Sequence, residues 1–164
     1  MDLNQVIGLL QTEHAQIMSK KRPDPAAVGA FEGRGHRMLN NVPDNPHILY
    51  TLATLYSQTD RAGAPINPFR RAIEIGLDGP DAWNNLGAAY KTEHKDASAA
   101  ECYEKAIAQC EKAQRVNAKR ARNGKPPTAP AESISSARSV AYHGMASLYV
   151  NAGQPEKIIE WADK

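Results

Sequence analysis

Seven positions of this chain recur at one constant interval, that between Leu49 and Trp83. Leu49, Leu52, Ala53, Tyr56, Phe69, Ala72 and Ile73 are matched in size by Trp83, Leu86, Gly87, Tyr90, Tyr103, Ala106 and Ile107. Within each set the first four residues are three, one and three apart, so they share one face of a helix. The last three share a face of a second helix. A unit of two such helices cannot bury both faces alone, whereas similar units in tandem bury them against one another. Gly87 lets the two helices of a pair approach closely, and Trp83, Tyr90 and Tyr103 fill the space around the contact. The pattern demands a helical array.

Downstream, Tyr142, Met145, Ala146 and Tyr149 repeat the first-helix pattern, followed by Gly153 at the turn. Tyr142 stands as far from Trp83 as Tyr149 does from Tyr90, and this offset exceeds the period by the length of the stretch 114–138. The order Trp83, Leu86-Gly87, Tyr90, then Ala99, Tyr103 and Ala106 resembles the tetratricopeptide repeat (TPR), a helix–turn–helix unit whose period is the one seen here. The resemblance covers Pro46–Ala113 and, in part, Ser139–Lys164. It implies an all-α fold, a TPR-type superhelical solenoid of antiparallel helix pairs with one extended helical hairpin insertion.

Composition agrees with this. The 164 residues are 41% hydrophobic but only 6% aromatic, and alanine carries much of the apolar load, which suits close helix packing. No apolar run approaches the ~20 residues that span a bilayer. Met1-Asp2-Leu3-Asn4 lacks the basic and apolar regions of a secretory signal. Cys102 and Cys110 are eight positions apart on one predicted helix, about 12 Å along its axis and too far for a mutual disulfide. They read as small apolar residues of a reducing compartment, and a cytoplasmic location is expected.

Taken in order, the chain is expected to form a single TPR domain over 1–164. Residues 1–45 form a divergent N-terminal repeat that caps the array. A helix over Leu3–Ser19 ends at Lys20–Pro25, where Asp24 caps a second helix with Pro25 at its first position. That helix carries Val28, Phe31, Met38 and Leu39, and Gly29, Gly33 and Gly35 weaken it. Residues 46–79 form the first clear repeat. There Pro65 enforces a loop over Gln58–Ile66, and Asn67-Pro68 is expected to cap a short second helix ending near Ile75. Residues 80–113 form the next repeat, whose second helix continues past its normal end to Arg122. The break is Asn123–Pro130, so 114–138 is a hairpin insertion with Ala113, Val116, Ala121, Ile134 and Ala137 along its seam. Residues 139–164 are an incomplete repeat, as if cut from a longer polypeptide, whose apolar end offers a route to self-association.

The chemistry-bearing residues form no catalytic constellation. His14, His36, His47, His94 and His143 fall at no metal-ligand spacing, and neither a nucleophile elbow nor an activated Cys–His pair is present. No enzyme activity, cofactor, metal or membrane contact is expected of this chain. In TPR proteins the first helices line a concave groove that holds an extended peptide or a partner's helix. The resemblance places Tyr50, Thr51 and Thr54 on that face, then Asn84, Asn85 and Lys91, then His143, Ser147 and Asn151. Asparagine amides both donate and accept, so they can hold a peptide backbone whatever its side chains.

The expected function is non-catalytic protein–protein interaction through this groove. The TPR subfamily that grips a chaperone tail uses Lys, Asn and Arg at fixed positions. Only Asn85 matches, since Tyr50, Thr54, Val140 and Gly144 occupy the others. Asn85 also matches one rung of the asparagine ladder of O-linked N-acetylglucosamine transferases, where Thr51 and Gly144 depart from it. This suggests, as an alternative, the substrate-recruiting arm of a larger glycosyltransferase-like enzyme. A third reading rests on the basic stretch Lys112, Arg115, Lys119, Arg120 and Arg122, which could meet phosphate, a nucleic acid or an acidic partner. No aromatics interleave with it, so nucleic acid is not the expected partner.

Overall fold

The structure, a computed structural model, describes residues 3–59 and 64–158. Among the described residues it contains helices and turns and no strand. The α-helices in chain order are α1 (Leu3–Met18), α2 (Pro25–Asn41), α3 (Pro46–Ser57), α4 (Ile66–Glu74), α5 (Pro80–Thr92), α6 (Asp96–Arg122) and α7 (Ala131–Asn151). They divide into two compact units, Met1–Asp78 and Gly79–Lys164.

The first unit is built on Phe31, Ile48, Leu52 and Leu55, all buried, with Ile7, Leu10, Ile17, Val28 and Tyr56 around them. Asp24 caps α2 as expected, its Oδ1 accepting from the Ala26 amide at 3.1 Å, with Pro25 in the first turn. Asn45 does the same for α3, accepting from the amides of His47 and Ile48. Gly35 does more than weaken α2. A Cβ there would lie 2.6 Å from a methyl of Leu52, so its missing side chain is what admits α3. Ion pairs Arg34–Glu13 and Arg71–Asp44 lie on the unit's surface.

The start of α4 differs from expectation. Asn67 does not cap it; the helix begins at Ile66 with Pro65 preceding it, and the Asn67 side chain accepts instead from Arg70. Pro68 is tolerated because it still falls among the first residues of the helix, whose amides have no carbonyl to reach. The first intrahelical bond runs from the Phe69 amide to the Pro65 carbonyl at 3.0 Å. Residues 60–63 of the expected loop lie outside the described residues.

In the second unit α5 and α6 are antiparallel, and the turn between them holds His94 at φ 55°. Its amide bonds the Lys91 carbonyl, and the Lys95 amide bonds the Tyr90 carbonyl. The turn after α7 repeats this at the offset that separates Tyr149 from Tyr90. Gly153, at φ 68°, bonds the Val150 carbonyl, and Gln154 bonds that of Tyr149. This left-handed conformation turns the chain within a few residues of the helix end, and glycine is its usual occupant.

Helix α6 runs 27 residues without interruption, and α7 runs back along it for 21. The inner part of their seam is apolar, formed by Cys110, Ile134 and Ala137 with Ala113 and Ala129 packed alongside. Val116 and Ala121, expected in that seam, are exposed. A polar clamp replaces them. Asn117 donates to the Ala129 carbonyl at 2.7 Å, while its Oδ1 accepts from the Thr128 amide and hydroxyl at 2.9 and 3.0 Å. Arg120 donates to the Pro126 carbonyl at 2.6 Å. The Ile159–Lys164 part of the last repeat lies outside the described residues.

Candidate functional site

The site grows from one side chain, Tyr103 on α6. It is buried between two helices whose facing residues are glycines: a Cβ on Gly87 would lie 2.9 Å from its ring, and one on Gly144 only 2.4 Å. The ring can occupy that space only because both side chains are missing, and it thereby sets the separation of α5 and α7. Ala99, Ala106, Ala141, Met145 and Leu148 complete the core around it. Burial, and then the neighbouring Cys102, push the Tyr103 hydroxyl above its ordinary pKa.

Helices α5 and α7 run parallel, joined at two levels. Asn84 donates to the Ala137 carbonyl at 2.8 Å, and Lys91 Nζ donates to Ser147 Oγ at 3.0 Å. Between those levels lies an open recess of about 360 Å³, lined by Lys91, Tyr103, Ser139, Val140, His143 and Gly144. The repeat pattern places Lys91, Val140 and His143 on this face, whereas Ser139 and the role of Gly144 come only from the structure. A mid-helix glycine costs up to ~1 kcal/mol and so implies a packing reason, which was the available signal.

The other expected groove residues have varied surroundings. Asn84, 3% exposed, and Thr51, 4% exposed, are buried in their units. Thr51 donates back to the His47 carbonyl at 2.7 Å. Asn84 Oδ1 is buried with no hydrogen-bond partner among the described residues. Tyr50 is half-buried and packs edge-on against Phe69 at 5.4 Å, and Thr54 donates to the Tyr50 carbonyl. Asn85 and Ser147 are half-buried, and His143 and Asn151 are exposed. In the second unit the structure therefore brings Lys91, His143 and Ser147 to one face.

A second opening, about 520 Å³, lies along α7 between Ser135, Arg138, Tyr142, Met145, Tyr149 and Ile158. Trp83, on the other helix of the pair, carries Lys105 Nζ 4.4 Å from its ring centroid, a cation–π contact. The two cysteines are free and buried. Burial pushes Cys102 up to about 11 despite Lys105 nearby, and it raises Cys110 despite Arg138. Neither is a thiolate at neutral pH, so neither is poised for nucleophilic chemistry. Among the described residues, no group of three or more His, Cys, Asp or Glu is placed to hold a metal. No helix among them is long and apolar enough to cross a membrane. In the basic stretch, Lys112, Arg115, Lys119 and Arg122 are exposed and Arg120 is half-buried.

Residues 80–117 match the family model of the tetratricopeptide repeat. A peroxisomal targeting signal receptor from Kluyveromyces lactis is 30% identical over 73 residues, which is 44% of this chain and 13% of the receptor. The chain thus matches about an eighth of that relative's length. Two crystal structures of MamA share the fold with TM-scores of 0.50, at 14% and 16% identity. The alignments cover 83% and 95% of this chain and 85% and 90% of theirs. At such identity the likeness is one of fold, and the fold is TPR-like. The constant interval of the sequence, the family match over residues 80–117 and the shared helical architecture give this chain a tetratricopeptide repeat at 80–117 within a TPR-like fold.

Proposed function

We propose that the chain is a non-catalytic interaction module that takes an extended segment of a partner protein along the α5–α7 face of its second unit. The recess between Lys91 and His143 carries this reading. It is open, floored by the Tyr103 ring, and edged by one cation, one hydroxyl and one imidazole. Such a mixture suits a peptide, whose carbonyls accept from Lys91 and Ser139 while an apolar side chain rests against Val140 and the ring. The relative whose name makes it a receptor for a targeting signal supports a short segment as the ligand.

A phage-displayed library of linear peptides panned on the whole chain tests this. Peptides should be enriched, and their affinity should fall about tenfold with His143→Ala, the loss expected for one hydrogen bond made on binding. His143 is exposed, so the melting temperature should not move. Absence of enrichment, or affinity indifferent to His143→Ala and Lys91→Ala, overturns the reading. A second reading, the binding arm of a longer protein, draws on the small share of the receptor that this chain matches. Its glycosyltransferase form rests on sequence resemblance alone.

A further inference from the structure

Residues 112–131 contain six of the 20 lysines and arginines of the chain and none of its 18 aspartates and glutamates, so the remainder is net acidic. The six are not scattered. Lys112, Arg115, Lys119 and Arg122 are three, four and three apart, which aligns them along one side of α6 over about 15 Å. All four are exposed, and Val116, 40% exposed, sits among them. Arg115 meets Glu111 at 3.1 Å, an exposed pair of small worth. Among the described residues no carboxylate pairs with Lys112, Lys119 or Arg122. Asn117 and Arg120, on the flank facing the connection, hold the tip and so keep this part of α6 in register with α7.

We propose that this stripe is a second interaction surface, separate from the α5–α7 recess, and that it takes an acidic, amphipathic helix of a partner protein. Three-four-three is the spacing at which one helix meets another along a seam. A partner helix with carboxylates at the same spacing meets each cation in turn, and an apolar residue at its centre covers Val116. A nucleic-acid backbone supplies the charge but nothing apolar for Val116, and the stripe has no aromatic ring on which a base could stack. A lipid surface demands large apolar side chains to insert, and the stripe holds a single valine.

The probe is a synthetic helical peptide of about three heptads with glutamates at three-four spacing and a central leucine. Its binding to the whole chain is followed by fluorescence anisotropy, beside a DNA duplex of equal charge. Peptide binding should weaken at least about tenfold when Lys119→Glu and Arg122→Glu are combined. It should return when only the peptide's glutamates opposite those two positions are exchanged for lysines, and it should persist in His143→Ala. Both substituted residues are exposed, and a circular dichroism melt checks that the double variant stays folded. The proposal is overturned by a peptide that does not bind, by binding indifferent to the charge reversal, or by a duplex that binds more tightly than the peptide.

Discussion

Tyr103 illustrates how much can depend on what a neighbour lacks. Its ring fills space left open by Gly87 and Gly144, and the two glycines belong to different helices. Gly144→Ala should therefore destabilise the protein by ~1–3 kcal/mol, since the ring is held on both faces and has no free direction in which to yield. Gly29 is the control. It lies inside α2 with nothing within 4 Å of a Cβ built there, so Gly29→Ala should stabilise by ~0.5–1 kcal/mol through helix propensity. Urea unfolding of both variants decides the matter, and equal effects would remove the wedge. The same scale holds a pH effect. His14 stacks tilted on Phe31 at 5.8 Å, its Nε2 buried without a partner among the described residues, and burial lowers its pKa below the ordinary 6.5 despite a bond with Gln58. Below pH 6.5 the unfolded chain takes up a proton that the folded chain resists, so stability is full above that pH and falls with acid. In His14→Gln the acid loss of the urea midpoint should be smaller; an unchanged slope would show that His14 plays no part in it.

Among the elements, α6 departs furthest from a plain repeat. Its 27 residues span about 40 Å, roughly twice the length of α5. An apolar seam supports it only as far as Ala113; beyond that, three bonds to one asparagine take over. Asn117→Ala should consequently loosen the tip and leave the rest intact. The Thr128 amide should exchange with solvent at least about tenfold faster, while amides around Tyr103 keep their protection and the melting temperature moves little. Unaltered exchange at Thr128 would mean that the backbone of 123–130 holds itself. The length of α6 was legible in the sequence from helix formers that run through to Arg122. The clamp was not, because an asparagine at a helical position reads as neutral until the loop that it meets is folded back upon it. The start of α4 misleads for a related reason: Asn67-Pro68 has the composition of a cap, but Pro65 has already set the turn two positions earlier.

For the whole molecule, the constant interval between like residues specifies most of what matters. It supplies the helix pairs, the packing faces and the resemblance to the tetratricopeptide repeat, because residues that contact like neighbours in successive units must be alike in size. It also exposes the longer offset to the last unit, which the paired turns at His94 and Gly153 reproduce. What the periodicity could not supply is the fate of polar residues beside the packing face. Thr51 and Asn84 fall at positions that line the groove in the family, yet both are buried in their units, Thr51 bonded to its own helix and Asn84 to α7. Helical position determines a direction, whereas exposure depends on how near the next helix comes. In the second unit that distance is set by a tyrosine ring between two glycines. The sequence alone determined that the chain is built of helix pairs and where the pairs begin. Only the tertiary structure decided which polar side chains face a partner, because their burial depends on contacts between helices that no single helix encodes.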